Sequence, residues 1–218
     1  MVTVPVGNRT VISAGSERRS PMHILETRRL ILRPPSFRDE LLVHELHSDP
    51  FVVNSVGDGA CPTIGQSKAA LLQFINAWHR DRFGLWMTFV KVEGQPRNFA
   101  GYCGLMRSGP SLPEDPNNVE FVYCFHRAAS GKGFGPEAGK AVIQYAFKNL
   151  TLDKVTAFIR PTNTRALRAG RKVGFSYVRD RIYNHMMMRY FEVTPVTAVE
   201  AEPLLVSTYT DPDDIPSQ

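Results

Sequence analysis

Residues 22 to 193 carry regular patterns of hydrophobic and polar positions. Short runs rich in β-branched and aromatic residues predict strands, and apolar residues at helical spacing predict helices. The segment 22–33 opens the pattern with an apolar run. Strands are predicted over about 85–92, 98–106, 119–125, 154–160, 175–181 and 184–193, and helices over 40–47, 67–82, 136–150 and 163–172.

The two ends of the chain lack such patterns. Residues 1–21 have no clear periodicity, so we expect a flexible N-terminal arm. Residues 194–218 contain proline and acidic residues but no Lys or Arg, which is typical of a mostly disordered tail. The chain has 218 residues and 43% hydrophobic content, so the segment 22–193 suits a single domain with a sizeable core.

The most informative chemistry lies between the strand 119–125 and the helix 136–150. Three glycines stand there at alternate positions, Gly131, Gly133 and Gly135. Glycine adopts positive φ easily and lets a ligand approach the main chain. The N–H groups of the first helical turn and the helix dipole would then attract a phosphate.

Three phosphate-binding motifs compete for this segment. A P-loop needs Ser or Thr after its Lys, but Lys132 is followed by Gly133, which excludes it. A dinucleotide fingerprint needs an acid at the end of the next strand, whereas Asp153 precedes the strand 154–160. The spacing of the glycines in this segment also differs by one residue from that of the dinucleotide fingerprint. The third motif is a coenzyme A loop.

This loop resembles the acyl-CoA loop of the GNAT N-acetyltransferase superfamily, commonly Gln/Arg-x-x-Gly-x-Gly/Ala. The pattern falls on Ser130, Gly133 and Gly135, and Ser130 departs from the usual Gln or Arg. A side-chain contact to the phosphates is therefore not expected there, but a cradle of main-chain groups does not depend on it.

A second motif strengthens the resemblance. Residues 163–175 match the superfamily's Asn-x-x-Ser/Ala followed by Lys-x-Gly-Phe, without a gap. Asn163 is also a good helix N-cap, and Gly174 is a good residue to end that helix. In addition, the opening at 22–33 resembles the start common in the ribosomal-protein N-terminal acetyltransferase branch.

The resemblance covers about 22–193 and implies the GNAT fold. That fold is an α/β (mixed α+β) domain with a strongly twisted mixed sheet of about seven strands and helices on both faces. Its central strands, here 119–125 and 154–160, splay apart and hold acyl-CoA. The resemblance thus implies acetyl-CoA as cosubstrate.

The resemblance also implies which residues hold acetyl-CoA. Strand main chain would pair with the pantetheine amides, the glycine loop would cradle the phosphates, and the Asn of the second motif would contact or order the pantetheine side. The implied cofactor-binding residues are Tyr123, Cys124, Phe125, Ser130, Gly131, Lys132, Gly133, Phe134, Gly135, Pro136, Glu137, Asn163 and Lys172.

Glu120, near the start of the strand 119–125, is the candidate general base. It resembles the Glu of the histone acetyltransferase branch and the frequent Glu of the ribosomal-protein branch. A base and a carboxylate paired to an arginine remain open alternatives for it. Strand alternation places Glu120, Val122 and Cys124 on one face, and Phe121, Tyr123 and Phe125 on the other.

The general acid is harder to assign. Many GNAT enzymes carry a Tyr seven residues after the Asn of the second motif, but that position here is Gly170. Tyr183 and Tyr177 are candidate substitutes, although core packing is the simpler interpretation of both. Coenzyme A thiolate is also a tolerable leaving group, so a general acid is not required.

Charge and cysteine usage narrow the class of protein. The net charge is +5, with about +2 in residues 1–21 and −5 in residues 194–218, so the middle is near +8. A basic domain suits an anionic ligand such as coenzyme A, and RNA is a less favoured partner. Three cysteines without a C-x-x-C fit a reducing cytosol and predict no zinc site. No apolar run is long enough for a membrane span.

We therefore expect a cytoplasmic N-acetyltransferase, a monomer or homodimer without a metal. It would move an acetyl group from acetyl-CoA to a primary amine by direct attack in a ternary complex. The amine acceptor would be a protein N-terminus or a small molecule. The alternative is a non-catalytic CoA-sensing or RNA- or ribosome-associated binding protein on the same fold.

Overall fold

The computed structural model describes residues 22–56, 60–92, 98–201 and 204–209. The predicted arm at 1–21 and the end of the predicted tail lie outside the described residues. The strands are β1 Met22–Glu26, β2 Leu30–Arg33, β3 Leu85–Val90, β4 Asn98–Arg107, β5 Val119–Phe125, β6 Val155–Ile159, β7 Ser176–Tyr183, β8 Met186–Val193 and β9 Leu205–Tyr209. The helices are α1 Glu40–Ser48, α2 Pro50–Val56, α3 Ile64–Asp81, α4 Phe134–Lys148 and α5 Thr164–Val173.

The strands form one mixed sheet in the order β7-β8-β6-β5-β4-β3-β2-β1-β9. Strands β5 and β6 run parallel and are joined by the crossover through α4, while the other paired neighbours are antiparallel. This architecture confirms the predicted mixed α/β fold. The sheet has nine strands among the described residues rather than about seven, because the run 22–33 is divided in two and β9 is added.

Each face of the sheet is covered by its own helices. Helices α4 and α5 pack with Phe121 and Phe125 of β5 in one core. Helices α1 and α3 pack with Cys124 of β5 and with β3 in the other core, against which Val122 also lies. Phe121, Phe125 and Cys124 thus occupy the faces that alternation predicts.

Strand β9 lies in the segment predicted to be mostly disordered, so that expectation is wrong for residues 205–209. It pairs with β1 along five register positions, from Met22 opposite Tyr209 to Glu26 opposite Leu205. Its side chains are mostly exposed, so the strand lacks the alternation of apolar and polar residues that reveals a half-buried strand. Main-chain pairing with β1 holds it instead.

The connection from β8 to β9 crosses the helical layer of α4 and α5. The Val199 N–H donates to the carbonyl of Val173 at the end of α5. The Ala201 N–H donates to the side-chain oxygen of Gln144 in α4, at 2.9 Å. We call residues 194–201 the strap, because they lead from one part of the sheet towards its far edge.

Candidate functional site

Strands β5 and β6 meet at one point and then diverge. Their register pair is Glu120 with Thr156, near the N-terminal end of both strands. On its other side β5 pairs with β4 along its whole length. Within the described residues, main-chain groups at 123–125 therefore face a gap between β5 and β6. An extended ligand with amide groups could pair with them as an added strand.

The glycine loop lies between β5 and α4. Gly131 and Gly133 have φ values of 79° and 80°, a left-handed conformation that glycine adopts without strain. Gly133 is the N-cap of α4, and residues 131–133 are exposed. Because the first N–H groups of a helix have no acceptor within it, this end of α4 can bind an anion.

The other residues of the loop have distinct places. Ser130 is half-buried before the glycines, and Lys132 is exposed between them. Phe134 is buried beneath the guanidinium of Arg29, 4.8 Å from its ring centre, so only its main chain can face a ligand. Gly135 lies against two aromatic rings of β5: a Cβ there would be 3.6 Å from both Tyr123 and Phe125. Pro136 follows in the first turn, where its missing N–H costs no helix bond.

Glu137 belongs to the predicted cofactor-binding set, but its side chain contacts the turn between β1 and β2. Its carboxylate accepts hydrogen bonds from Thr27 Oγ1 at 2.6 Å and from Arg29 Nε at 2.6 Å. Burial opposes ionisation, but these hydrogen bonds and the Arg29 charge outweigh it and lower the pKa of Glu137. Arg29 also donates to the carbonyl of Lys132, so this ion pair supports the loop from behind.

The second motif follows β6, the other strand that borders the gap. Asn163 Oδ1 accepts from the Ala166 N–H at 3.0 Å, which confirms Asn163 as the N-cap of α5. Gly174 ends the helix with a φ of 107°. Lys172 is exposed in the last turn, at the other end of α5 from Asn163, so the structure does not bring these two predicted contacts together.

A contact that the sequence patterns do not reveal joins α5 to α2. The guanidinium of Arg165, in the first turn of α5, lies 4.4 Å from the ring centre of Phe51 in α2. Asp49, just before α2, accepts from the Arg127 N–H at 3.0 Å and from His126 at 3.3 Å. The segment between α1 and α2 therefore contacts the residues after β5 through Asp49 and contacts α5 through Phe51.

Glu120 is buried where β5 and β6 begin to diverge, with 7% of the residue exposed. Burial raises its pKa from the ordinary value of 4.5 to about 7, and a hydrogen bond from Tyr183 opposes part of this shift. The Tyr183 hydroxyl donates to Glu120 Oε1 at 2.5 Å. Glu120 can therefore exchange a proton near neutral pH. The structure gives Glu120 a tyrosine, and not an arginine, as its hydrogen-bond partner.

Tyr183 is held by the β7–β8 hairpin. Its ring stacks on Phe158 of β6, with ring centres 4.1 Å apart. The hairpin turns through Asn184 and His185, both with positive φ, and the Asn184 N–H donates to the carbonyl of Ser111. Sequence reasoning considered Tyr183 as an acid but not as a partner of Glu120. The two-residue turn after it is the signal that could have fixed the hairpin register.

Cys124 is an inert core residue in this structure. Burial raises the pKa of its thiol to about 12, so the thiolate that nucleophilic chemistry needs is scarce at neutral pH. Among the described residues no group of three or more His, Cys, Asp or Glu is arranged to hold a metal ion. No helix in the described ranges is long and apolar enough to cross a membrane.

Known proteins resemble this chain in both sequence and fold. The model of the acetyltransferase (GNAT) domain family matches residues 29–176. Protein YkkB of Bacillus subtilis is 32% identical over 93 residues, which cover 43% of this chain and 51% of YkkB, so the chain matches about half the length of that relative. The N-acetyltransferase p20 of Bacillus licheniformis is 26% identical over 164 residues, 71% of this chain and 83% of p20.

Solved structures share the fold at lower identity. A GnaT-family acetyltransferase from Bordetella pertussis aligns with a TM-score of 0.66 and 22% identity, over 78% of this chain and 98% of its own. The aminoglycoside acetyltransferase AAC(6')-Ib, solved with coenzyme A, aligns with a TM-score of 0.64 and 19% identity, over 77% and 96%. The chain belongs to the GNAT acetyltransferase family and is an N-acetyltransferase that depends on acetyl-CoA.

Proposed function

We propose that this acetyltransferase transfers the acetyl group directly to a primary amine, on a peptide N-terminus or a small molecule, with Glu120 as general base. The observation that carries the proposal is the buried Glu120 carboxylate at the point where β5 and β6 diverge, with a pKa of about 7. A peptide N-terminus is the favoured acceptor, since the opening at 22–33 resembles the ribosomal-protein branch.

A base with this pKa suits an amine that must lose a proton. An α-amino group has a pKa of about 7.7–8.0, so a substantial fraction is already neutral at pH 7, whereas a Lys amine has a pKa of about 10.4. Glu120 as carboxylate accepts the proton that the amine releases as it attacks the thioester carbon. The carbon–nitrogen bond forms and the carbon–sulfur bond breaks, so coenzyme A leaves as a thiolate that takes up a proton from solvent. Tyr183 keeps the Glu120 carboxylate oriented.

Other residues bind and orient the cosubstrate. The main chain of Tyr123, Cys124 and Phe125 would pair with the amides of the pantetheine arm. The main chain of the loop from Gly131 to Gly135, at the N-terminus of α4, would hold the phosphates. The side of the sheet that bears Glu120 also bears α1–α3, so the acceptor would approach from that side, opposite α4 and α5.

The test is turnover of acetyl-CoA with a panel of peptide and small amines by the wild-type chain and by Glu120→Gln. We expect kcat/KM to rise with pH through about 7 in the wild type. Glu120→Gln should lower kcat about 10²- to 10³-fold and remove that rise, because a general base contributes about 10²–10⁴.

The control is Glu45→Gln, which changes an exposed carboxylate on α1. Binding of acetyl-CoA, measured by calorimetry, should be retained in both variants. Full activity of Glu120→Gln between pH 6 and 9 would contradict the assignment of the base, and absence of turnover with every amine despite acetyl-CoA binding would contradict the proposed function.

A further inference from the structure

The face of the sheet that carries Glu120 continues beyond β5 onto β6, β8 and β7. The register places Phe158 opposite Tyr190, and Tyr190 opposite Arg179, so these three side chains share one face. Arg181 and Tyr183 belong to the same face, opposite Met188 and Met186. Because Tyr183 donates to Glu120, this row of residues leads directly away from the proposed base.

Two arginines of β7 form the outer layer of this row. The guanidinium of Arg181 lies 5.4 Å from the ring centre of Tyr190, and that of Arg179 lies 5.8 Å from it. Tyr190 is thereby buried, at 3% exposed, while Arg179 is exposed. Two guanidinium groups therefore line the surface that an acceptor would meet beside Glu120.

The acidic groups near these arginines are already engaged. Glu114 accepts from Arg181 at 2.8 Å and is itself half exposed. Glu192 accepts from Tyr190 at 2.6 Å and from Lys154 at 3.1 Å. Arg179 forms no ion pair within 4.0 Å among the described residues, although its charge helps to lower the pKa of both Glu114 and Glu192. This face thus has a cation available to an anionic ligand, and a second whose partner is solvent-exposed.

The spacing of the arginines along β7 sets the length of the ligand. A strand advances about 3.3 Å per residue, so Arg181 and Arg179 lie about 7 Å and 13 Å from Tyr183 along the strand. An extended peptide covers about 3.3–3.6 Å per residue. A peptide whose terminal amine lies at Glu120 would therefore bring its third residue alongside Arg181 and its fifth alongside Arg179.

We propose that the acceptor is a peptide-like amine with a carboxylate within its first few residues, and that Arg179 and Arg181 determine this specificity. The inference rests on the proposed function, because it needs an amine at Glu120. It also disfavours polycationic amines, which this cationic face would repel.

The test compares three pentapeptide amides that share an N-terminal Ala-Ala-Ala-Ala and end in Asp, Asn or Lys, with spermine as a polycation. We expect kcat/KM to be about tenfold higher for the Asp peptide than for its Asn isostere, and lowest for the Lys peptide and spermine. Tenfold corresponds to about 1.4 kcal/mol. The preference should shrink in 0.5 M NaCl, since salt screens exposed charges.

Arg179→Gln should remove most of the preference for Asp over Asn without changing kcat/KM for the Asn peptide. A loss of folding could not produce that selective result. Arg181→Gln is the second variant and should act in the same direction. The matched control is Arg189→Gln on the opposite face of β8, which removes the same charge and should keep the preference.

The outcomes separate the inference from the proposed function. Equal turnover of the three peptides, a preference for Lys or spermine, or a preference for Asp that survives both Arg179→Gln and Arg181→Gln would overturn the inference and leave the acetyltransferase activity intact. Binding of acetyl-CoA without turnover of any amine would overturn the proposed function, and the inference with it.

Discussion

At the scale of single residues, the burial of Glu120 affects both the stability of the folded state and the pKa of the carboxyl group. The carboxylate is buried, and the hydroxyl of Tyr183 is its hydrogen-bond partner. Burial makes the ionised form unfavourable and brings the pKa to about 7, which is the range where a base can both accept and release a proton. The same burial must make the folded state less stable when the group ionises.

Glu120→Gln should therefore stabilise the fold at pH 8 but not at pH 4.5. The folded pKa of about 7 lies above the ordinary 4.5, so the folded state binds the proton more tightly. The stability this provides is complete below pH 4.5 and is lost as pH rises through 7. The loss in the free energy of unfolding is about 3 kcal/mol, since each pKa unit is about 1.36 kcal/mol. Gln does not ionise, so the variant keeps this stability.

Urea unfolding of Glu120→Gln and wild type at both pH values measures this difference. Glu45→Gln, at an exposed position, should show no such dependence on pH. An equal stability difference at pH 4.5 and pH 8 would show that the Glu120 pKa is not raised.

Tyr183→Phe should shift the pH–rate profile upward. The hydrogen bond from Tyr183 favours the ionised carboxylate, so its removal raises the pKa of Glu120 further. The Phe ring keeps the stack on Phe158. We expect kcat/KM to fall several-fold at pH 7 and to recover near pH 9. A profile unchanged in position would mean that Tyr183 does not tune the base.

At the scale of elements, the glycine loop and helix α4 depend on backbone geometry. Gly133 has a φ of 80° as the N-cap of α4, and a Cβ there would approach Arg29 to 3.4 Å. Arg29 in turn supports the loop through Glu137 and the Lys132 carbonyl. A side chain at Gly133 thus strains the backbone through its positive φ, while its Cβ would make only an ordinary contact with Arg29.

Gly133→Ala should weaken acetyl-CoA binding about tenfold and lower stability by about 1 kcal/mol. The comparison is Lys132→Ala, which changes the neighbouring exposed side chain without requiring a new backbone conformation. Calorimetric titration with acetyl-CoA measures the affinity. Unchanged affinity in Gly133→Ala would place the phosphates elsewhere than this loop.

The elements also show what the sequence could reveal. Asn163 and Gly174 were identifiable as the cap and end of α5 because capping needs particular residue types at particular positions. The faces of β5 followed from alternation. The Glu120–Tyr183 pair and the Arg165–Phe51 contact could not be identified from the sequence. Each joins residues more than 60 positions apart, and their meeting depends on tertiary packing.

At the scale of the whole molecule, β9 forms one edge of the sheet. The strap crosses α4 and α5, and β9 then covers the open edge of β1. Sequence patterns missed this strand, since its exposed side chains carry no signal of burial. An edge strand held by main-chain pairing is the kind of element that local patterns describe least well.

A chain ending at residue 203 should be less stable than one ending at 209, by about 2–4 kcal/mol. The loss corresponds to the hydrogen bonds of the β1–β9 ladder, each contributing about 0.5–1.5 kcal/mol net. Acetyl-CoA affinity should be unchanged, since the strap and α4 remain. Urea unfolding and calorimetry measure the two quantities, and equal unfolding midpoints would show that β9 contributes nothing to stability.

The β1–β9 ladder also gives the molecule a direction of mechanical weakness. Met22 and Tyr209 stand opposite each other at one end of the ladder, about 5 Å apart. A tensile force applied between these two residues would act across the strands and load the hydrogen bonds one after another. Strand β9 would peel away first and the strap next, so the acyl-transfer site would experience tension only after both had detached.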